Sequence, residues 1–215
     1  MGEQNKMKYN ALNESKIVKP EFQHYKEAKP EVITITKMSY DEWNGLELYK
    51  KVHINEFYEI LNSIDFNPKY VLEWGSGLST YLLSDFCFRW GSNLFLTIDH
   101  DKKYQSQILA KLQKSETTEV CSMDLIGAIW PWDEDIYNYA TYPMSKNIKY
   151  DFIFVDGRRR NECMLAASRV LSRSGIVIVH DVWRKRYALG LGLFREIKRF
   201  DEYFILGSSH VNHNN

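Results

Sequence analysis

Long apolar runs are missing from this chain of 215 residues. No stretch approaches the ~18 apolar residues of a membrane-spanning helix, and the opening Met-Gly-Glu-Gln-Asn-Lys has no apolar signal-peptide core. Net charge is missing too. The 28 Lys plus Arg balance 28 Asp plus Glu, which argues against nucleic acid or a membrane surface as a partner. Cysteine is scarce: Cys87, Cys121 and Cys163 are unevenly spaced in apolar segments and form no zinc-ligand pattern. They read as reduced core thiols of a soluble cytoplasmic protein. No Gly-Lys-Ser/Thr phosphate loop occurs. The turn at Gly75-Ser76-Gly77 lacks the third glycine of a dinucleotide fingerprint, Thr80 standing in its place.

What is present suffices for one core, with 44% hydrophobic and 14% aromatic residues. The chain is organised around Tyr70 to Thr80. Tyr70-Val71-Leu72 reads as a strand buried on both faces, and two glycines two apart then let a ligand approach the backbone. Ser79 or Thr80 is expected to cap a helix carrying Tyr81, Leu82, Leu83 and Phe86. Glu73, two residues before the first glycine, would repel a pyrophosphate and attract an ammonium group.

On either side, the pattern alternates strand and helix. Residues 1–38 read as an arm, with Val32–Thr36 an added edge strand or oligomer contact, and 39–215 as one domain. Ser39 and Glu42 form a capping box for a helix Tyr40–Lys51, and a second helix is expected over Asn55–Leu61. Gly91 should close the helix after the turn, and the strand Asn93–Ile98 ends in Asp99. That carboxylate follows Gly77 at nearly the ~20-residue spacing of an acid that reaches ribose hydroxyls. Asp101 caps the next helix, and Glu119–Met123 is a third strand, with Asp124 a candidate adenine contact. The stretch from Gly127 to Lys149 looks irregular and rich in aromatics, either packing on the sheet or covering a ligand. Asp151–Asp156 is a strand ending in an acid and Gly157. A helix Arg160–Leu171 follows, with Leu165, Ala166 and Val170 buried. Ser174-Gly175 then turns into the strand Ile176–Val179 before His180-Asp181. A helix is expected between Tyr187 and Phe200, then a strand Tyr203–Leu206, with the final hairpin short or absent.

Such alternation predicts an α/β fold: a doubly wound, mostly parallel sheet with helices on both faces. Glu73, Asp99, Asp156, His180 and Asp181 would all stand at the carboxyl edge of the sheet, where ligands bind.

Glu73-x-Gly75-x-Gly77 resembles the first motif of class I S-adenosylmethionine-dependent methyltransferases. The segments Tyr-Asp-Phe-Ile-Phe-Val-Asp-Gly-Arg and Gly-Ile-Val-Ile-Val-His-Asp look like bacterial small-molecule and sugar O-methyltransferases. The family often has a third glycine where this chain has Ser79. The resemblance implies a Rossmann-like methyltransferase fold and an S-adenosylmethionine site at Glu73, Gly75, Ser76, Gly77, Asp99 and Asp124. Asp156, His180 and Asp181 are the candidate catalytic groups. Catechol-type relatives hold a divalent ion through acids placed like Asp156 and Asp181, which makes magnesium a candidate, although no Asn follows Asp181. The metal-free alternative makes His180 the general base. Arg158, Arg184, Trp183, Trp130 and Tyr137 are candidate acceptor contacts. The arginines point to a small anionic acceptor such as a sugar, nucleotide sugar or acid. A non-catalytic binding module and an NAD-dependent oxidoreductase remain the competing readings.

Overall fold

The computed structural model describes residues 48–110, 112, 117–123, 125, 134–181 and 185–209. The expected arm, the Ser39–Glu42 capping box and the site candidates Asp124, Trp130, Trp183 and Arg184 lie outside them.

Among the described residues seven strands form one sheet in the order β3-β2-β1-β4-β5-β7-β6. β1 (Tyr70–Trp74), β2 (Leu94–Asp99), β3 (Thr118–Ser122), β4 (Tyr150–Val155) and β5 (Leu171–His180) run parallel. β6 (Phe194–Phe200) and β7 (Tyr203–Ser209) close the far edge as an antiparallel hairpin, with β7 also antiparallel to β5. Strand residues alternate in direction, so the sheet feeds two cores. Val71, Phe95, Phe152 and Ile178 pack under α1 (Leu48–Asn62), α2 (Leu78–Trp90) and α3 (Lys102–Ala110). Leu72, Leu96, Ile153 and Val177 pack against α4 (Glu134–Thr141), α5 (Arg160–Val170) and the short α6 (Ala188–Leu191). From β1 the chain winds outward through β2 to β3, then returns to the other side of β1 for β4. The helices that follow β1 and β4 therefore lie on opposite faces of the sheet, and the gap between those two connections is where such sheets bind ligands.

Two features set the shape of the gap. Phe57 of α1 stacks on Phe154 at 4.3 Å and on Tyr203 at 5.7 Å, which lays α1 over the ends of β4 and β7. Burying a ring of this size stabilises by about 1.5–3 kcal/mol. On the opposite face, Trp74 is fully buried and donates from Nε1 to the Tyr139 carbonyl at 3.1 Å. No helix among the described residues is long and apolar enough to cross a membrane.

Several expectations are corrected. One helix, α1, spans the gap expected between Lys51 and Asn55, because Ile54, Phe57 and Leu61 are buried at helical spacing without a breaker between them. The N-cap residue of the helix after the glycine turn is Gly77, not Ser79 or Thr80, which lie inside the first turn and donate their hydroxyls to Glu73. Part of the aromatic stretch is helical: Ile136, Tyr139 and Ala140 bury one face of α4, and Tyr142–Lys146 adds a 3-10 turn. Leu165 is 47% exposed, since Cys163, Ala166, Ala167 and Val170 already form the buried face of α5. Ser174-Gly175 makes no turn; β5 starts at Leu171, and Ser172–Gly175 bulge out between the pairs Tyr150–Leu171 and Phe152–Ile176. Finally, Phe194–Phe200 is a strand in a full hairpin where a helix was expected.

Candidate functional site

A cleft of about 550 Å³ opens at the carboxyl ends of β1, β2, β4 and β5. One side is formed by Gly75, Ser76, Gly77 and Asp99, the other by Asp156, Arg158 and His180, and His53, Ile54 and Phe57 of α1 close it from above.

The two glycines do different work. Gly75 has φ +101°, and a Cβ there would meet the Gly157 nitrogen at 2.4 Å, so its bareness lets the β1 and β4 turns touch. Gly77 is extended, and a Cβ would meet nothing nearer than the Tyr104 hydroxyl at 3.7 Å. Its bareness leaves room in the cleft. Thr80 Oγ1 accepts the Gly77 N–H at 2.8 Å and pins the turn to the first turn of α2.

Glu73 does not face the cleft as the sequence suggested. Its side chain is fully buried and accepts hydroxyl hydrogen bonds from Ser79 (2.6 Å), Thr80 (2.7 Å) and Thr97 (2.7 Å). The carboxyl thus ties β1, β2 and α2 together beneath the turn. Burial pushes its pKa up to about 7, the three hydroxyls pulling the other way. A carboxyl with a raised folded pKa contributes stability below its unfolded value, near 4.5, and loses it as pH rises through about 7. Glu73→Gln keeps the shape without the titration. The parent is therefore expected to lose about 3 kcal/mol between pH 4.5 and pH 8 that the variant retains. Urea unfolding of both proteins across that range checks this, and parallel stability curves would contradict it.

Asp99 ends β2 and is 4% exposed, with Oδ1 accepting the Asp101 N–H at 2.7 Å. Burial raises its carboxyl above the ordinary range, opposed by backbone N–H groups of Asp101 and Ser76. Asp101 caps α3 as expected, accepting the Tyr104 N–H at 2.9 Å. The Ser76 hydroxyl is engaged by Thr97 (2.8 Å) and Gln105 (2.9 Å), so Ser76 offers the cleft its backbone. Gln105 is a residue the sequence reading missed. It is fully buried on α3 and bonds Ser76, the Cys121 carbonyl and Ser122, locking the turn to β3. A Gln amid Ser, Lys and Tyr in an amphipathic helix gives no signal of that role.

At the other end, His180 Nδ1 lies 3.0 Å from Asp156 Oδ1. His180 Nε2 is shielded from solvent and has no hydrogen-bond partner among the described residues, with Asp181 Oδ1 3.9 Å away. Tyr203 stacks on the imidazole at 4.6 Å and donates its hydroxyl to the His53 carbonyl at 2.8 Å, joining α1 to this group. Burial acts to lower the His180 pKa, but the hydrogen bond and charge of Asp156, with the charge of Asp181, outweigh it and raise the pKa above 6.5.

The same geometry argues against the magnesium alternative. Arg160 donates to the Asp156 carboxylate at 2.7 Å and stands 3.5 Å from Asp181 Oδ2, so a guanidinium occupies the ground between the two acids. Among the described residues no group of three or more His, Cys, Asp or Glu is placed to hold a metal ion. A divalent ion there would meet that fixed positive charge.

Of the candidate acceptor contacts, Arg158 lines the cleft. Tyr137 does not: its ring is 64% exposed on the outer side of α4, while Tyr139 turns inward and its hydroxyl would be 2.4 Å from a Cβ placed on Gly157.

No family model matches the chain, and no curated protein matches it. Solved structures do. One is a methyltransferase-like protein from Silicibacter pomeroyi, 19% identical, covering 74% of this chain and 88% of its own, with a TM-score of 0.50. Another is a putative methyltransferase from Escherichia coli, 15% identical, covering 77% and 90%, with a TM-score of 0.51. Strand order, antiparallel closing hairpin and these likenesses agree: the chain has the class I methyltransferase fold.

Proposed function

We propose that this protein is an S-adenosylmethionine-dependent methyltransferase acting on an oxygen of a small anionic acceptor. The observation that carries the reading is the meeting of two half-sites in one cleft. A bare glycine turn faces Asp99, and opposite them His180 is held by Asp156 with its second nitrogen uncommitted among the described residues.

In this reading Asp99 accepts ribose hydroxyls, and the open space at Gly77 admits the cofactor against the turn. Glu73 acts from below, positioning the turn through Ser79, Thr80 and Thr97. When bound, the cofactor supplies a methyl group on a sulfonium, open to attack from the opposite side. The chain must hold an acceptor hydroxyl in line and take its proton. Asp156 accepting from Nδ1–H leaves the Nε2 lone pair as the base, which the entering acceptor would have to uncover because that nitrogen is shielded, and the carboxylate steadies the imidazolium that results. In such a transfer His180 would take and keep the proton of the acceptor hydroxyl, with Asp156 holding the ring in place. Because only neutral imidazole accepts the proton and its pKa is raised, the rate should climb with pH through a value above 6.5.

Label transfer from methyl-labelled S-adenosylmethionine to a panel of phosphorylated, carboxylated and neutral alcohols tests this, with and without EDTA. Label should appear on an oxygen of an anionic member, at the same rate with chelator. Loss of activity in EDTA, restored by magnesium, would overturn the metal-free base. A neutral acceptor turned over as fast as every anionic one would overturn the acceptor class.

A further inference from the structure

Beyond Asp156 the cleft passes into a second cavity of about 430 Å³, with Gly157, Arg158 and Arg160 shared between the two. Four arginines border it, and they are not equivalent. Arg160 is fully engaged: Nη2 donates to the Asp156 carboxylate (2.7 Å) and carbonyl (2.9 Å), Nη1 to the His180 carbonyl (2.7 Å), and Nε to the Gly157 carbonyl (3.2 Å). Arg159 is paired with Glu162 at 2.9 Å. Arg158 and Arg186 have no carboxylate within ion-pair distance among the described residues, yet both border the cavity.

Arg186 is also held in place. Its Nη2 donates to the Tyr187 hydroxyl at 2.8 Å, and its guanidinium lies 4.8 Å from the centre of that ring. Asn161, in the first turn of α5, donates to the Arg186 carbonyl at 2.8 Å and accepts the Gly190 N–H at 3.3 Å. A segment clamped in this way loses little freedom when its arginine meets a ligand. The cavity also lies at the amino end of α5, where the helix dipole favours an anion.

We infer that this second cavity is a phosphoryl-binding subsite, in which Arg158 and Arg186 hold a phosphomonoester or diphosphate group of the acceptor whose hydroxyl lies at His180. Two uncompensated cations match a group carrying about −1.5 to −2 charge near neutral pH better than they match a monocarboxylate. Guanidinium forks suit its oxygens in pairs. Arg160 takes no part: it belongs to the wall that separates the reacting hydroxyl from the anion. The link to the acceptor rests on the methyltransferase reading, whereas the anion site itself does not.

The test is calorimetric titration of the full chain with inorganic phosphate, pyrophosphate and acetate, in the presence of saturating S-adenosylhomocysteine to fill the cofactor half of the cleft. Phosphate or pyrophosphate should bind saturably and acetate should not, the tighter of the two phosphates distinguishing a monoester from a diphosphate acceptor. Arg158→Gln and Arg186→Gln, both changes of exposed side chains, should each weaken that binding by ~10–100-fold and leave S-adenosylmethionine affinity unchanged. Acetate bound as tightly as phosphate, no saturable phosphate binding, or parental binding in both variants would overturn the subsite. Phosphate binding by a chain that binds no S-adenosyl compound would keep the subsite and remove the methyltransferase reading.

Discussion

His180→Ala is expected to lower kcat by ~10²–10⁴-fold while S-adenosylmethionine affinity stays at the parental value. The proposed base is Nε2, and the cofactor half-site of Gly77 and Asp99 makes no contact with it. The loss should be largest at high pH, where the parent's imidazole is neutral, and should shrink as pH falls below the raised pKa and the parent loses its own base. Asp156→Ala is a less clean probe, because it also releases Arg160, which donates to both the Asp156 carboxylate and the His180 carbonyl. Single-turnover rates of parent and His180→Ala from about pH 5.5 to about pH 9, the range over which a raised imidazole loses its proton, decide the matter. Equal rates with the same pH profile would place the proton acceptor elsewhere.

Substitution at the two glycines of the turn should fail in opposite ways. Gly75→Val places a branched side chain at φ +101° with its Cβ 2.4 Å from the Gly157 nitrogen and 2.6 Å from its Cα. Both obstacles are backbone, and neither can rotate away. Strain at such a φ alone costs about 1–3 kcal/mol. With the clash added, the total passes the ~4 kcal/mol that marks an exceptional loss, so the variant should melt at least ~10 °C early or fail to accumulate. Gly77→Val meets only the Tyr104 hydroxyl, at 3.7 Å, and should melt close to the parent. Its branched side chain projects into the proposed cofactor space, so binding should disappear at concentrations that saturate the parent. Melting curves with and without S-adenosylmethionine separate the two. A well-folded Gly75→Val, or a Gly77→Val stabilised by cofactor as the parent is, would contradict the division of labour.

The parallel half of the fold was legible because its signals are local. Val71-Leu72, Phe152–Val155 and Val177–Val179 are apolar runs buried on both faces, and each is followed by an acid, a glycine or a histidine at the carboxyl edge. The closing hairpin was not. β6 buries Phe194 and half-buries Ile197 and Phe200, every third residue, while Arg195, Glu196, Lys198 and Arg199 between them are exposed. A period of three looks helical when read without its partner strand β7. The aromatic stretch failed differently: Tyr139 and Tyr142 share a composition, but one is buried against Gly157 and Trp74 while the other is half-exposed beside Lys146 and Glu119. At the site, positions were readable and directions were not. Glu73 and Asp99 both stand near strand ends, yet Glu73 turns inward to three hydroxyls and Asp99 outward to the cleft. Arg158 and Arg160 are two residues apart, and only the structure shows that Arg160 is already engaged by its neighbours.

The measurement that bears most directly on the central claim is calorimetric titration of the parent and Asp99→Ala with S-adenosylmethionine and then with NAD. An acid after the second strand would suit the ribose of either cofactor, so the pair of ligands is needed. The account predicts saturable S-adenosylmethionine binding by the parent, a ~10–100-fold weakening in Asp99→Ala for the loss of a charged hydrogen bond, and no NAD binding by either. NAD binding in place of S-adenosylmethionine, or S-adenosylmethionine bound equally well by both proteins, would contradict it.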